Sequence, residues 1–370
     1  PLFALLGLLL IPVIVCGGGM LLFQARVTRK EFALTLGIAL VVVVGGWFIA
    51  RWGALQDTEV WGGRIATKNH GSQKCCHCYT VCDSRDKDGN CTSSHEVCPH
   101  SLDYWWSLSL TTGDDVSIDS CEPDEDDVPP AWTKAYVGEP AFVEHGYTNY
   151  LKADPYSLIH RVADKMMLAK VPENGYPKVH SFYKVNKVVS LGAILPPEWE
   201  AGLREMDADL GRSLQVDVAV VVTDQPDPAF ADAVEAKWLY GPKNALIVVL
   251  GVTDGKTIAW ARVVTISRVE ALKIELRDGL QGLEIADATK SLGIIRSHVE
   301  TQFKRTPMSE FEYLGKTASP SGGWLIGLYI IVLLISLGLF YWAHEKDIFG
   351  DEGFEGASKR FRGRLGHRFL

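Results

Sequence analysis

Residues 196–224 read PPEWEAGLREMDADLGRSLQVDVAVVVTD, and they set the fold of the carboxy-terminal half. Trp199, Leu203, Met206, Leu210 and Leu214 recur at steps of three and four, which puts them on one helical stripe. Two prolines stand where a helix tolerates them, at its start. The unbroken β-branched run VDVAVVVTD then predicts a strand buried on both faces. Working outward, PAFADAVEAKWL reads as a second amphipathic helix and NALIVVLGVT as another buried strand. Asp254-Gly255 makes a hairpin turn into TIAWARVVTI, and helices follow over Val269–Leu280 and Ala286–Phe303. The order is α-β-α-β-β-α-α. A β-α-β step gives parallel neighbours through a right-handed crossover. The expected unit is an α/β sandwich over residues 195–318.

Upstream, residues 51–194 are irregular. Short runs such as TEVWGGRIATK, YWWSLSL and KVHSFYKVNKVVS have strand character, separated by Gly, Pro and acidic loops. Within this β-rich region, residues 73–100 read QKCCHCYTVCDSRDKDGNCTSSHEVCPH, with six cysteines and three histidines. The same side chains serve zinc or disulfides, so the compartment decides between them.

The compartment follows from three uncharged runs in a chain of 370 residues and net charge −8. They are Leu2–Phe23, Phe32–Ala50 and Gly323–Ala343. At ~1.5 Å per residue, each crosses a hydrocarbon core of ~30 Å. No basic residue precedes the first run, so it reads as a retained span over 1–23 rather than a signal peptide. The second and third spans are 32–50 and 323–343. The loop 24–31 carries Arg26, Arg29 and Lys30, and the tail 344–370 carries Lys359, Arg360, Arg362, Arg364 and Arg368. The basic ends are expected in the cytoplasm. That places the N-terminus and residues 51–322 outside the cytoplasm.

All cysteines except Cys16 lie between Cys75 and Cys121, and on this topology they meet an oxidising compartment. Disulfides among Cys75, Cys76, Cys78, Cys82, Cys91, Cys98 and Cys121 are therefore favoured over zinc, with one thiol left over and the pairing open. Adjacent Cys75 and Cys76 should take different partners. The zinc alternative draws on the spacing Cys75-x2-Cys78 and on His77, His95 and His100 nearby. Asp86-Lys87-Asp88-Gly89-Asn90 has only part of a calcium loop and reads as a polar turn.

Other sites are sparser. There is no Ser-His-Asp order, phosphate-cradling Gly loop or HExxH motif. If the first two strands of the sandwich are parallel, Asp224 and Asp254 lie beyond one carboxyl edge, with Asp227 close by. Such carboxylates could hold Ca²⁺ or Mg²⁺, or be turn chemistry alone. No motif requires a cofactor. The basic tail suits anionic lipid head groups, and the acidic remainder argues against nucleic acid. Gly323-x3-Gly327 allows close helix approach and a homo-oligomer.

The α-β-α start, VDVAVVVTD, and KNALIVVLG before a DG hairpin and an Arg-containing strand resemble the TPM domain family over about residues 196–314. That resemblance implies a membrane-tethered, extracytoplasmic domain. Some family members are described as acid phosphatases, others as accessory factors of membrane complexes. DTEVWGGRIATK, the Cys/His block and NYLKADPYSLIH resemble uncharacterised membrane proteins of large tailed phages and their prophages, which implies a phage-encoded protein of a bacterial inner membrane. The expected function is a non-enzymatic membrane binding or scaffold protein, homo-oligomeric in the cell envelope, with another envelope protein as a further partner. The alternatives are a metal-dependent TPM-type phosphatase and a phage-encoded envelope modifier, for example in superinfection exclusion.

Overall fold

The computed structural model describes residues 2–23, 29–157, 159–160, 162–320 and 322–346. The chain starts with helices α1 (Leu2–Phe23) and α2 (Arg29–Leu55). Strands β1 (Gln56–Lys74), β2 (Tyr79–Arg85), β3 (Cys91–Val97), β4 (Leu102–Leu110) and β5 (Asp115–Glu122) follow. Then come α3 (Pro130–Lys134), β6 (Pro140–Thr148), α4 (Tyr150–Ala153), α5 (Lys165–Lys170) and β7 (Val188–Leu191). The carboxy-terminal half contributes α6 (Pro197–Leu214), β8 (Asp217–Thr223), α7 (Phe230–Trp238), β9 (Ala245–Gly251) and β10 (Trp260–Val264). The last helices are α8 (Glu270–Leu280), α9 (Ala288–Gln302) and α10 (Gly322–Lys346). The described residues form two compact units: those within 1–56, 150–157 and 311–346 make one, and those within 57–149 and 159–310 make the other.

In the first unit, α1, α2 and α10 pack through Leu8, Ala39, Val43, Leu328 and Val332. Small residues permit this approach: the Cβ position of Gly46 falls on Leu328, and that of Gly7 on the Tyr329 hydroxyl. The outward faces stay apolar, with Val41 72 % exposed and Ile14, Phe48, Ile326 and Leu334 alike uncovered. Two of the helices are long and apolar enough to cross a membrane, over Phe32–Leu55 and Gly322–Trp342. The expected third, α1, has a shorter apolar stretch at Gly7–Gly18 among the described residues. The tail residues Lys359, Arg360, Arg362, Arg364 and Arg368 lie outside the described residues.

The second unit holds an α/β sandwich whose elements from α6 to α9 follow the expected order, but its sheet gains a further strand, β7, from upstream of the expected boundary at residue 195. Its sheet runs β10-β9-β8-β7, with β7, β8 and β9 parallel and β10 antiparallel to β9. Every residue of β8 and β9 is buried, as their continuous apolar runs require. Helix α6 lays Trp199, Leu203, Met206 and Leu210 on one face together with α8 and α9. The Trp199 indole N–H donates to the Ile285 carbonyl at 2.8 Å, so this large side chain is buried without an orphaned donor. Helix α7 covers the other face with Phe230, Val234 and Trp238. Strands β7, β8 and β9 advance across the sheet in one direction, yet α6 and α7 cover opposite faces. The two crossovers therefore have opposite hands, and one departs from the right-handed rule.

A four-stranded sheet, order β5-β4-β1-β6, packs its own core of Ile65, Trp106, Leu108 and Ala141. Its strand β1 runs against α6. Glycines allow the crossing: a Cβ at Gly211 would stand 2.1 Å from the Gly62 carbonyl oxygen. Around it, the Asn244 side-chain amide donates to the Val60 carbonyl, and Arg64 pairs with Glu205 and Asp209.

Candidate functional site

The first ladder sets up the site. Strands β1 and β4 pair antiparallel until Gln73↔Asp103 and Lys74↔Leu102. A separate two-stranded ribbon, β2 with β3, begins again at Tyr79↔Val97. Residues 75–78 and 98–101 thus form a two-sided neck between sheet and ribbon. The ribbon itself is almost wholly exposed. An isolated hairpin is marginal in water, so covalent links must supply what a core does not.

Three disulfides do so. Cys82–Cys91 closes the ribbon, Cys78–Cys98 closes its base, and Cys76–Cys121 ties the neck to the end of β5. Six of the seven clustered cysteines are thus bridged, and adjacent Cys75 and Cys76 part ways as expected. The remaining thiols are Cys75 and Cys16, both buried.

Cys75 is not isolated. Its Sγ lies 3.2 Å from His100 Nε2. The same Nε2 is also in contact with Asp103 Oδ1. His77 Nδ1 stands 3.3 Å from Asp103 Oδ2. The four donor atoms of Cys75, His77, His100 and Asp103 all lie within 4.8 Å of one another. Asp103 is 0 % exposed and Cys75 9 %. Burial pushes the Asp103 carboxyl up, but the Cys76 amide, donating at 2.5 Å, and the two imidazoles outweigh it and hold the group below its usual range. The site therefore joins a soft sulfur, two nitrogens and an ionised oxygen. His95, grouped with the other two histidines in the sequence, pairs instead with Asp83 at 2.6 Å. Asp103 was not singled out in the sequence, where it is one acid in the run SLDYWWSLSL; its burial opposite Gln73 is a tertiary fact.

The Asp edge of the sandwich is arranged differently. Asp224 lies beside a cavity of about 280 Å³ lined by Lys170, Leu191, Gly192, Thr223, Gln225 and Phe230. It accepts a hydrogen bond from the Gln225 side chain at 2.7 Å. Asp227 accepts the Ala229 N–H just before α7. Asp254 accepts the Lys256 and Thr257 amides, which hold its carboxyl below the usual range. The three carboxylates are not drawn into a convergent ligand group among the described residues. Asp86 likewise closes a polar turn, accepting the Asp88 and Asn90 amides.

Behind the β1–α6 crossing lies a buried charge cluster. The Lys187 ammonium contacts Asp207 at 2.6 Å and also Asp217, and sits 4.5 Å from the centre of the Phe142 ring. The Tyr176 hydroxyl donates to Asp217 at 2.5 Å. Two carboxylates share one ammonium, and burial raises Asp207 to about 7 despite Lys187. The sequence signal was present: an Asp inside a helical stripe and another opening a fully buried strand both require a partner. At Gly323 and Gly327, nothing lies within 4 Å of where a Cβ would stand, so this face of α10 is open among the described residues. No protein-family model matches the chain, and no curated protein or solved structure matches it.

Proposed function

We propose that the chain is a membrane-anchored binding or scaffold protein acting outside the cytoplasm of a bacterial cell, without catalytic activity of its own. Helices α1, α2 and α10 are its three spans, and the N-terminus and residues 51–322 lie outside. The TPM-like α/β sandwich and the Cys-rich sheet form the binding portion, and the basic tail holds anionic lipid head groups on the cytoplasmic side. What carries this function is one combination: outward-facing apolar helices in a chain that also folds around three disulfides. An apolar surface of this extent suits lipid, and such bridges persist in oxidising compartments. The open Gly323/Gly327 face supports self-association between copies.

A second reading, a metal-dependent phosphatase, draws on the cavity at Asp224. One experiment separates the two. The full-length chain is purified from native membranes, the mass of the intact complex is measured, and phosphate-ester hydrolysis is assayed. A scaffold gives a multimer that Gly327→Leu weakens and no turnover that Asp224→Asn abolishes. Robust turnover lost in Asp224→Asn, from a monomer indifferent to Gly327→Leu, overturns the scaffold function.

A further inference from the structure

We propose that Cys75, His77, His100 and Asp103 form a zinc site that fixes the disulfide-bridged ribbon to the sheet. The donor set suits the ion: Zn²⁺ takes Cys sulfur at ~2.3 Å and His nitrogen or carboxylate oxygen at ~2.0–2.2 Å, four in a tetrahedron. Donors on a tetrahedron of that size stand about 3.3–3.6 Å apart. Two of the six donor separations, 3.2 Å from Cys75 to His100 and 3.3 Å from His77 to Asp103 Oδ2, are close to this, whereas His100 Nε2 and Asp103 Oδ1 stand closer and would part as the ion enters. A thiolate and a carboxylate with two neutral imidazoles carry a charge of −2, which a divalent cation cancels.

The rival chemistry for these residues is a nucleophilic thiol with a His-Asp relay. A relay needs the two ring nitrogens of one histidine, one facing the thiol and the other the carboxylate. Here Cys75 Sγ and Asp103 Oδ1 both face the same atom, His100 Nε2. A nitrogen with one proton satisfies one acceptor, whereas a cation between the donors satisfies all of them. Cys75 is also too buried for a substrate to reach readily.

Position gives the site its role. Three ligands come from the neck, 75–78 and 98–101, and the fourth from β4 inside the sheet ladder. Cys78–Cys98 closes the ribbon's base without reaching the sheet, and Cys76–Cys121 holds one side of the neck. A metal on Cys75, His77, His100 and Asp103 holds both sides to β4. It also occupies the odd thiol, which otherwise sits next to a bridged cysteine and is open to exchange with it.

The test uses the oxidised full-length chain in detergent, stripped with chelator and reloaded with Zn²⁺ or Co²⁺. One zinc per chain is expected, and the Co²⁺ form should show tetrahedral d–d bands with a thiolate-to-cobalt charge-transfer band. Cys75→Ser should remove the charge-transfer band. His77→Ala changes a half-exposed ring and should weaken zinc binding at least about tenfold, the lower end of what even outer partners of a metal site are worth. Peptide mapping of the three disulfides in each variant separates lost ligation from lost folding. Zinc should also slow amide exchange across residues 79–97 in the parent and not in His77→Ala. Failure to take up zinc with the disulfides intact, or equal binding by the parent, His77→Ala and Asp103→Asn, would overturn the site.

Discussion

Gly211→Ala tests the packing of β1 on α6, which makes one unit of the two larger sheets. In an unobstructed helix, the change should stabilise by about 0.8–1.0 kcal/mol, because alanine loses less backbone entropy. At Gly211 the new methyl would meet the Gly62 oxygen, carbon and nitrogen at 2.1, 2.7 and 2.8 Å. All three are backbone atoms of a strand flanked by β4 and β6, so no rotamer change relieves the clash. Overpacking of a closed contact costs ~1–3 kcal/mol, and a clash this deep belongs at the upper end. The steric cost wins, leaving a net loss of about 1–2 kcal/mol. Gly293 in α9 has nothing within 4 Å, so Gly293→Ala should show the propensity gain alone. The two variants should differ by ~2–3 kcal/mol, on the order of 30- to 150-fold in the opening equilibrium. Hydrogen exchange by mass spectrometry on the full-length chain, read on peptides covering Asp217–Thr223 and Ala245–Gly251, measures that difference. Equal or greater protection in Gly211→Ala than in Gly293→Ala would refute the crossing.

Three further outcomes are expected. Asp207 is raised to about 7, above its unfolded value, so its contribution to stability is full below about pH 4 and is lost as pH rises through about 7. Asp207→Asn should flatten the fall in exchange protection between pH 4.5 and 7.5. Lys187→Met leaves two buried carboxylates without their cation and should cost ~3–5 kcal/mol, whereas Arg64→Ala removes partly exposed ion pairs to Glu205 and Asp209 and should cost about 1 kcal/mol by the same assay. Cys82→Ser with Cys91→Ser opens the shortest loop, a separation of nine residues, and should destabilise the ribbon by roughly 3 kcal/mol, seen as fast exchange over 79–97 with β8 and β9 unaffected.

The α/β sandwich was legible because its strands are unbroken apolar runs and its helices carry single stripes. VDVAVVVTD and NALIVVLGVT form the buried strands β8 and β9, and β10 follows antiparallel to β9; the expected tight hairpin at Asp254-Gly255 is instead the longer connection 252–259, in which Thr257 bridges to Glu284. The sequence also gave the count of bridges and the separation of Cys75 from Cys76, since seven cysteines leave one over. It did not give the pairing, which depends on where β5 ends relative to the neck. The 19-residue β1 was legible only in pieces, because its alternation is interrupted where Gly62 and Gly63 pass close to neighbouring segments and at the irregularity between Ile65 and Thr67. Lys187 reads as a surface lysine in KVNKVV until Asp207 and Asp217 are brought to it from two other elements. Asp103 joins Cys75 and His100 for the same reason: antiparallel pairing places it one step inside the ladder, where no spacing rule looks.

The compartment assignment underlies both the disulfides and the proposed function, and impermeant thiol labelling of intact cells tests it directly. Ser297 is exposed on α9, away from every bridge, and Ser358 lies in the basic tail. With the parent chain as background, a membrane-impermeant maleimide should label Ser297→Cys from outside and reach Ser358→Cys only after lysis. Labelling of Ser358→Cys in intact cells, with Ser297→Cys protected until lysis, would place the cysteine cluster in the reducing cytosol and contradict the topology, the persistence of the disulfides and the function built on them.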